Sequence, residues 1–526
     1  MTQPALRSVP QASEIDPIAA ELIEKGWKPL TDAGNGERFA EYALLTWRYV
    51  HQWDMWHQWD GKRWAADHQR EVYRDAVACL RAMSTEIAML SLPAAKKAID
   101  WAVKSERRDR VAAMLDAARA QPGISVMPEQ LDADPYKLNV QNGTIDLRTG
   151  ELGVHRGNAL HTRLVPVEYD PDARAPTWDA FTRRALPDDA VREYVRRAIG
   201  YSLTGDVGEH CLFFCYGGGR NGKTTLMETV SRICGEYSKA APPDLLLAKR
   251  SDRHEEEVAE LHGARFVTTV EAGEGRYWDE AKVKWLTGGD RLNARHMYAR
   301  RFSFSPTHKI WVAANHKPHA RGTDVGFWRR VHLVPFTVTI PESEVDRDLR
   351  TKLEQELPGI LAWAVEGAVA WREGGLRPPP AVRDAVDEYR SREDVLGHFI
   401  ADCCVLVPHA KTPTQALHEA YVKWADANGE RAMSKIDLSS ALEERPGILR
   451  YRSKTNRGFT GIGLRYAGDK GDANTPHFGN FHHDARAGEK LSESPSPSSP
   501  ASPSLPSHPD GCRCAGDTCG AGSEVA

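Results

Sequence analysis

Residues 217–224 read Gly-Gly-Gly-Arg-Asn-Gly-Lys-Thr, a glycine-rich run that ends in a basic residue and a hydroxyl residue. The spacing G-x-x-x-x-G-K-[ST] is that of a phosphate-binding loop. Its glycines leave backbone N–H groups free to surround the α- and β-phosphates of a nucleotide. Lys223 is placed to reach the β- and γ-phosphates, and Thr224 offers its hydroxyl to Mg²⁺. The run and the threonine after it are the predicted ATP-binding residues: Gly217, Gly218, Gly219, Arg220, Asn221, Gly222, Lys223, Thr224 and Thr225.

The segments on either side of this run decide between a phosphate-binding loop and an ordinary glycine turn. Residues 211–216 form a short apolar run that is typical of a buried strand. After the loop, residues 223–234 place Leu226, Val230 and Ile233 on one helix face. Strand, loop and helix in this order put a phosphate at a helix N-terminus. The context therefore favours the phosphate-binding loop.

A predicted hydrophobic strand, residues 265–271, ends in the acid Glu271. The carboxyl end of such a strand is where the Mg²⁺ and the attacking water of a nucleotide-hydrolysing site lie. Glu271 is therefore predicted to orient the water and, with Thr224, to bind Mg²⁺. Glu274 is placed to assist it. The alternative is that Glu271 is only a surface acid at a strand end.

Two further positions carry side chains that suit ATP hydrolysis. The predicted strand 310–314 ends in Asn315, whose amide can hydrogen-bond the γ-phosphate or the attacking water. Arg329 and Arg330 stand just before the next apolar strand. An arginine supplied across a subunit interface can stabilise the charge of the transition state. One of the two arginines is predicted to do this, and the other to form an ordinary salt bridge.

Basic residues are concentrated in the segment that follows Glu271. Residues 281–333 hold eleven lysines and arginines against two acids, a net charge of +9, whereas the whole chain has a formal net charge of −4. Such a local excess predicts an anionic partner. Part of it serves the nucleotide phosphates, and the Arg/His/Tyr mixture at 295–301 suits a DNA backbone. The alternative is a solvated charged face.

The composition bounds the class of protein. The chain has 526 residues, enough for about three domains. Charged residues make up 27% and hydrophobic residues 41%, which is ordinary for a soluble globular protein. No stretch approaches the roughly 20 apolar residues of a membrane span, so no membrane partner is expected. Six cysteines lie inside apparent strands and helices and three lie in a Ser/Pro-rich tail, which predicts buried thiols in a reducing cytoplasm.

The coarse organisation is that of an α/β protein. Strands alternate with helices through residues 206–340, which predicts a parallel sheet. Five tryptophans crowd residues 47–64; they are read as the core of a small sheet, with a base-stacking platform as the alternative. Residues 393–466 hold three helical stretches and a basic hairpin, which predicts a winged-helix-like, DNA-binding domain. The alternative for that unit is a domain that contacts only protein.

Taken in order, these motifs resemble a known family. The sequence resembles the superfamily 3 helicases of phage and plasmid primase–helicase proteins, which are related to the poxvirus primase–helicase. The resemblance spans about residues 45–466. It is carried by these stretches: Gly217–Thr224, Val270-Glu271, Leu286-Thr-Gly-Gly-Asp290, Asn315 with Pro318, Trp328-Arg-Arg-Val331, Asn142–Gly150 and Gly200–Gly205.

The resemblance implies a P-loop, AAA+-like core that assembles as a homo-hexameric ring, with each ATP site between two subunits. Arg330, next to the apolar Val331, matches the family's arginine finger better than Arg329. The segment 291–304 matches the hairpin that grips DNA in the ring's channel, with Arg295, His296, Arg300 and Arg301 as its candidates. The implied domains are an extension (1–35), a helicase-associated domain (36–205), the ATPase core (206–392), the winged-helix-like domain (393–466) and a disordered tail (467–526).

The sequence departs from the family in two respects. Only about 45 residues precede the helicase-associated region, too few for a primase domain, so a separate primase is the expected partner. The strand before Glu271 offers one acid where related cores often have two adjacent ones, which leaves the division of work between Glu271 and Glu274 open.

The predicted function is that of an ATP-dependent DNA helicase in phage or mobile-element replication, active in the cytoplasm of a bacterial host, with ATP and Mg²⁺ as cofactors. The first alternative is a DNA-binding initiator or loader that uses ATP only as an assembly switch. A small-molecule P-loop kinase is a further class, against which the basic segment and the 393–466 unit argue.

Overall fold

The computed structural model describes residues 16–248, 254–270, 273, 275–295, 301–320, 324–453 and 456–465. It is a mixed α/β structure. The helices are α1 Pro17–Glu24, α2 Asp32–Ala43, α3 Glu71–Ala82, α4 Leu92–Ser105, α5 Arg108–Arg119, α6 Pro176–Ala185, α7 Asp189–Leu203, α8 Lys223–Cys234, α9 His254–Ala259, α10 Glu280–Leu286, α11 Val325–Trp328, α12 Leu349–Gln355, α13 Leu357–Gly374, α14 Pro380–Glu393, α15 Val395–Cys403, α16 Thr414–Ala427 and α17 Lys435–Glu443.

The strands form one five-stranded sheet and several smaller ones. They are β1 Trp47–Val50, β2 Met55–Trp59, β3 Trp64–Ala66, β4 Ser125–Val126, β5 Lys137–Val140, β6 Gly143–Asp146, β7 Glu151–Gly153, β8 Leu212–Tyr216, β9 Ser238–Ala240, β10 Phe266–Val270, β11 Leu292–Ala294, β12 Phe302–Phe304, β13 Lys309–Ala314, β14 Val331–Pro335, β15 Cys404–Val405, β16 Lys411–Pro413, β17 Leu449–Arg452, β18 Arg457–Thr460 and β19 Gly463–Leu464.

The five-stranded sheet is entirely parallel and has the order β14-β8-β13-β10-β9. Its central strands are apolar runs with both faces covered, as a parallel sheet requires. Phe213 packs towards α7 and α13, whereas Phe214 belongs to the core on the opposite face. The predicted α/β class with a parallel sheet is confirmed.

The tryptophan-rich segment forms the core of the N-terminal region. Strands β1 to β3 are antiparallel, β4 joins β1 in parallel, and helices α1 to α5 pack against them. Trp47, Trp56 and Trp64 are buried. The Arg48 guanidinium lies over the Trp64 ring, 4.4 Å from the ring centroid. This face of the ring therefore contacts a charged side chain of the protein rather than a stacked base.

The hairpin turn between β5 and β6 depends on the close approach of β7 to Gly143 and on an anchor at Asn142. Gly143 is the first residue of β6 and pairs with Val140, so the two loop residues are Gln141 and Asn142. A Cβ on Gly143 would lie 2.2 Å from Gly153 O, so glycine is needed for the close approach of β7. The Asn142 amide instead anchors the turn on the backbone of Tyr169, with bonds of 2.9 Å to both its N–H and its carbonyl oxygen.

Helix α7, which carries the Gly200–Gly205 motif, is pressed against α13. A Cβ on Gly200 would lie 2.0 Å from the backbone nitrogen of Ala368. Two residues further along, Trp311 of β13 donates its indole N–H to Ser202 Oγ at 3.0 Å. The buried Lys309 ammonium donates to three backbone carbonyls, among them Thr204 O and Asp206 O. The Gly200–Gly205 segment is therefore tied to the central sheet by Trp311 and Lys309 of β13.

Gly200→Ala should destabilise the protein, because the added methyl group meets backbone atoms that have no freedom to move. Overpacking of this kind costs about 1–3 kcal/mol, so we expect a lower midpoint of thermal unfolding. Gly153→Ala is the control, since its Cβ would approach nothing nearer than Thr144 O at 3.6 Å. Equal midpoints for the two variants would contradict this account of the α7–α13 contact.

The C-terminal unit, from α15 to β19, has its own small hydrophobic core. Residues Leu396, Phe399, Leu417, Tyr421 and Phe459 belong to it and are buried. Its strands form a three-stranded sheet, β16-β18-β17, and a short pair, β15 with β19. Among the described residues, none of the helices combines the length and apolar character that crossing a bilayer needs.

Candidate nucleotide-binding site

The carboxyl ends of the parallel strands bring distant segments to one edge of the sheet. Tyr216 at the end of β8 pairs with Ala314 of β13 on one side and with Pro335 of β14 on the other. Val270, the last residue of β10, pairs with Ala313 of β13. The residues that follow these strands therefore meet at this edge, as in other open α/β sheets. They are the glycine-rich loop, Asn315 and Phe336.

The glycine-rich loop is held against β14 by backbone contacts. Gly217 has φ +148° and a Cβ there would lie 2.1 Å from Phe336 O, so only glycine fits. The buried Asn221 donates its side-chain N–H to Phe336 O at 3.3 Å. Gly222, at φ +88°, packs beside the Phe181 ring and begins α8. By contrast, a Cβ on Gly218 or Gly219 would touch nothing within 4 Å, and both residues are exposed with Arg220.

The Lys223 ammonium lies inside the loop and contacts Asn315. Its Nζ donates to Gly217 O at 2.7 Å, Gly218 O at 3.2 Å and Asn221 Oδ1 at 3.2 Å. It also donates to Asn315 Oδ1 at 3.1 Å. Two residues predicted from separate motifs, 92 positions apart, are thus in direct contact at the end of the sheet. Only 6% of the surface of Lys223 is exposed to solvent, so water screens its charge little.

The predicted metal ligands are only partly described. Thr224 is exposed at the first turn of α8, where its hydroxyl can reach solvent, and Thr225 beside it is half-buried. Glu271 and Glu274 lie outside the described residues, although Glu271 directly follows the exposed Val270 at the end of β10. The part of the chain that the structure describes contains no group of three or more His, Cys, Asp or Glu side chains arranged to hold a metal. A Mg²⁺ that keeps most of its waters needs only one or two protein ligands, and Thr224 fits that role.

A cavity of about 580 Å³ opens beside the loop and has the size of a small-molecule site. One side of the cavity is formed by the glycine-rich loop and the start of α8, through Arg220, Gly222 and Thr225. Phe181 of α6, Leu353 of α12 and Ile340 form apolar parts of its wall, and the backbone N–H of Ile340 donates to Arg220 O at 2.7 Å. No sequence motif marks these wall residues, because Phe181 is more than 150 residues from Ile340 and Leu353 in the chain.

The arginine pair lies at the opposite edge of the sheet. Val331 at the start of β14 pairs with Leu212, and Arg330 O accepts from the Leu212 N–H at 2.8 Å. Leu212 is four residue steps from Tyr216, or roughly 13 Å along the strand. Neither arginine therefore stands at the phosphate-binding edge of its own sheet.

The two arginines differ in exposure. Arg329 is exposed, whereas Arg330 is half-buried and donates from Nη1 to Gly326 O at 2.5 Å. Burial lowers the pKa of Arg330, with the neighbouring Arg329 charge as a second cause. The short helix before them is capped by Asp324, which accepts from the Gly326 N–H at 2.7 Å. The Lys284 ammonium also contacts this carboxylate and holds the pKa of Asp324 below its usual range.

The predicted DNA-gripping segment contains two short antiparallel strands, and the ring of His262, which precedes β10 at the amino edge of the sheet, contacts Phe302 and Phe304. Leu292 pairs with Phe304 and Ala294 with Phe302, both antiparallel, and Leu292, Ala294 and Phe304 are buried in the core below. Arg295 and Arg301 flank the tip and are exposed. His296 and Arg300 lie outside the described residues.

Part of the basic segment is internal. Lys282 and Lys309 are buried, the first at 3.4 Å from Glu257 and the second on backbone carbonyls. The count of +9 over residues 281–333 therefore overstates the surface charge, because a charge count carries no information on burial.

Two stretches of the chain match known protein families. Residues 36–187 match a family described as D5 N terminal like, and residues 215–330 match a family of unknown function, DUF5906. The second match contains the glycine-rich loop, Asn315 and both arginines.

Viral proteins are similar over a longer stretch. "Putative helicase L207/L206" of Acanthamoeba polyphaga mimivirus is 28% identical over 326 residues, covering 57% of this chain and 34% of that protein. "Putative primase C962R" of African swine fever virus (strain Badajoz 1971 Vero-adapted) is 24% identical over 347 residues, covering 60% of this chain and 36% of that protein. The predicted relationship to the primase–helicase family is confirmed. The chain spans about a third of the length of these primase–helicase relatives.

Solved structures give a weaker likeness. An apo form of the NrS-1 C terminal region has a TM-score of 0.46 and 9% identity, and it covers 79% of this chain and 96% of its own. A second apo structure of that region has a TM-score of 0.41 and 10% identity, and it covers 68% of this chain and 90% of its own. At these scores the likeness carries no weight for function.

Proposed function

We propose that this chain is an ATP-dependent DNA helicase that acts in the replication of phage or mobile-element DNA. The observation that carries the proposal is the contact between Lys223 and Asn315 at the carboxyl edge of a parallel sheet. A lysine for the β- and γ-phosphates and an amide for the γ-phosphate are parts that nucleotide hydrolysis needs. Relatives named helicase and primase favour a nucleic-acid substrate over a small-molecule acceptor.

The parts of the proposed ATP site come from the ends of three neighbouring strands. The loop of Gly217–Thr224 follows β8, Asn315 follows β13, and Glu271 follows β10. Because β13 lies between β8 and β10, Asn315 stands between the loop and the carboxyl end of β10. This arrangement supports a P-loop, AAA+-like core of superfamily 3 type. We place the triphosphate on the loop and the nucleoside in the adjoining cavity, with Thr224 and Glu271 as ligands of Mg²⁺.

The position of the arginines supports an assembly in which they serve a neighbour. At roughly 13 Å of strand length from their own loop, Arg329 and Arg330 suit an ATP site completed by the next subunit. We propose a homo-hexameric ring on this basis. The β11–β12 hairpin, on the same edge as the arginines, would then contact the DNA strand. A separate primase is the proposed partner.

Single-stranded DNA should stimulate ATP hydrolysis by at least about tenfold, and the stimulation should weaken as salt rises, because phosphate contacts release counterions. Arg295→Ala combined with Arg301→Ala should remove most of the stimulation. Arg291→Ala is the matched control, since its guanidinium donates to Ser303 O at 2.9 Å within the hairpin. The measurement is the steady-state rate of Mg·ATP hydrolysis at two salt concentrations, with and without single-stranded DNA, for the wild type, the double variant and Arg291→Ala.

Slow hydrolysis that does not respond to DNA would overturn the helicase assignment. It would favour the initiator or loader, which uses ATP as an assembly switch. DNA-independent turnover with a small-molecule phosphate acceptor would instead favour a kinase.

A further inference from the structure

The C-terminal unit has the element order of a winged helix. Helix α15, strand β16, helices α16 and α17 and the hairpin β17–β18 follow one another, and the three strands form one sheet. In a helix-turn-helix unit the second helix of the turn, here α17, enters the major groove and reads base edges. The hairpin β17–β18 corresponds to the wing. The following inference deepens the proposed function, because it concerns how this unit would contact DNA.

The exposed surface of α17 is unsuited to a groove lined by phosphates. Within Lys435–Glu443 there are two acids, Asp437 and Glu443, and one base. The base, Lys435, donates its ammonium to Gln415 Oε1 at 2.5 Å and so points back to α16. Asp437 is bound to the N-terminal cap, Ser434, at 2.7 Å. The helix therefore directs no cation of its own towards a polyanionic groove, because its single lysine points back to α16.

The wing has the opposite character. Arg450 at its base forms an ion pair with Glu443 of α17, which holds the hairpin beside the helix. Towards the tip, Arg452 of β17 pairs directly with Arg457 of β18 in the antiparallel register. Both arginines are exposed, and no carboxylate among the described residues forms an ion pair with either of them.

Two like charges directly opposite each other destabilise a strand pair. The hairpin nevertheless places Arg452 and Arg457 on one face, with side-chain origins about 5 Å apart. A phosphate between the two guanidinium groups would remove this repulsion and accept hydrogen bonds from both. Arginine forms bidentate contacts with phosphate, which makes such a pair a fitting clamp for a nucleic-acid backbone.

We propose that this unit binds duplex DNA through the wing, with Arg452 and Arg457 on backbone phosphates and α17 held away from the bases. Phosphate contacts position a protein without reading sequence, so binding by the unit is independent of base sequence. The unit then serves to hold duplex DNA near the core rather than to find one site.

The test measures binding of duplex DNA to the full chain without nucleotide. Fluorescence anisotropy of a labelled duplex gives the affinity at each of several salt concentrations. Two 20-base-pair duplexes of unrelated sequence should bind with equal affinity. Each phosphate contact contributes about 0.9 to the slope of log K against log salt, so the double variant Arg452→Ala, Arg457→Ala should lower the slope by about 2. Lys435→Ala, on the helix, is the matched control and should leave the slope unchanged.

An unchanged slope in the double variant would overturn the proposal. So would a preference for one duplex that Lys435→Ala or Ser440→Ala abolishes, because that result would show base reading by α17. The outcome is distinct from failure of the helicase assignment. A wild-type protein that hydrolyses ATP without response to single-stranded DNA, yet loses slope with the wing variant, would keep the wing contact and reject the helicase.

Discussion

Lys223→Ala should abolish ATP hydrolysis, with kcat lowered by at least about 10³-fold. The lysine supplies a buried positive charge at the loop, and charge placed where the transition state develops it is worth several kcal/mol in a site with little water. Loss of the ammonium also removes its hydrogen bonds to Gly217, Gly218 and Asn221 in the loop and to Asn315 after β13. Nucleotide binding should therefore weaken as well.

The measurement is steady-state phosphate release together with the affinity for a fluorescent ATP analogue. Lys239→Ala is the matched control, because Lys239 lies on β9 at the far edge of the same sheet and should leave turnover unchanged. Thermal unfolding of both variants separates loss of the site from loss of the fold. Turnover by Lys223→Ala at the wild-type rate would reject the phosphate-binding assignment of residues 217–224.

Arg330→Ala should remove hydrolysis while ATP still binds. An arginine supplied to a neighbouring site is worth about 10³- to 10⁵-fold in kcat, and it contributes through the transition state rather than through ground-state binding. Arg329→Ala is the paired variant, because Arg329 is the more exposed of the two and Arg330 donates to Gly326 O. The variant with the larger loss in kcat identifies the arginine that serves the neighbour.

Mixing the inactive variants tests whether the arginine acts between subunits. Arg330→Ala subunits keep an intact loop, and Lys223→Ala subunits keep an intact arginine. Random equimolar assembly in a ring would restore about a quarter of the junctions. We expect hydrolysis to reappear on mixing and to depend on the ratio of the two proteins. No recovery at any ratio would reject an arginine shared between subunits.

The sequence predicts the parts of the site that are local in the chain. Strand β8, the loop and α8 follow one another within 25 residues, and each is set by its own residues: an apolar run, glycines and a helical apolar face. Asn315 is predicted because a polar residue directly ends an apolar strand. The order of the strands makes these local features converge, and the contact of Lys223 with Asn315 is the result.

The support of the site could not be predicted, because it depends on contacts between distant segments. The carbonyl oxygen of Phe336 accepts a hydrogen bond from the side-chain amide of Asn221, which lies 115 positions earlier in the chain. The ring of Phe181, on helix α6, packs beside Gly222. Charge patterns are ambiguous for a similar reason. Lys309 counts as a basic residue in the sequence, but packing places it among backbone carbonyls, where burial lowers its pKa well below the usual value.

Strand β14 connects two sets of residues that are proposed to act in ATP hydrolysis. At its carboxyl end, Phe336 supports the loop proposed to hold this subunit's ATP, and at its amino end lie the arginines proposed to serve another subunit. Strand β14 is hydrogen-bonded to β8 along its whole length, so we expect a shift of the loop to move Arg329 and Arg330 as well. In the proposed ring, the nucleotide state of one subunit would thereby influence hydrolysis at the next site, and the sites would not act independently.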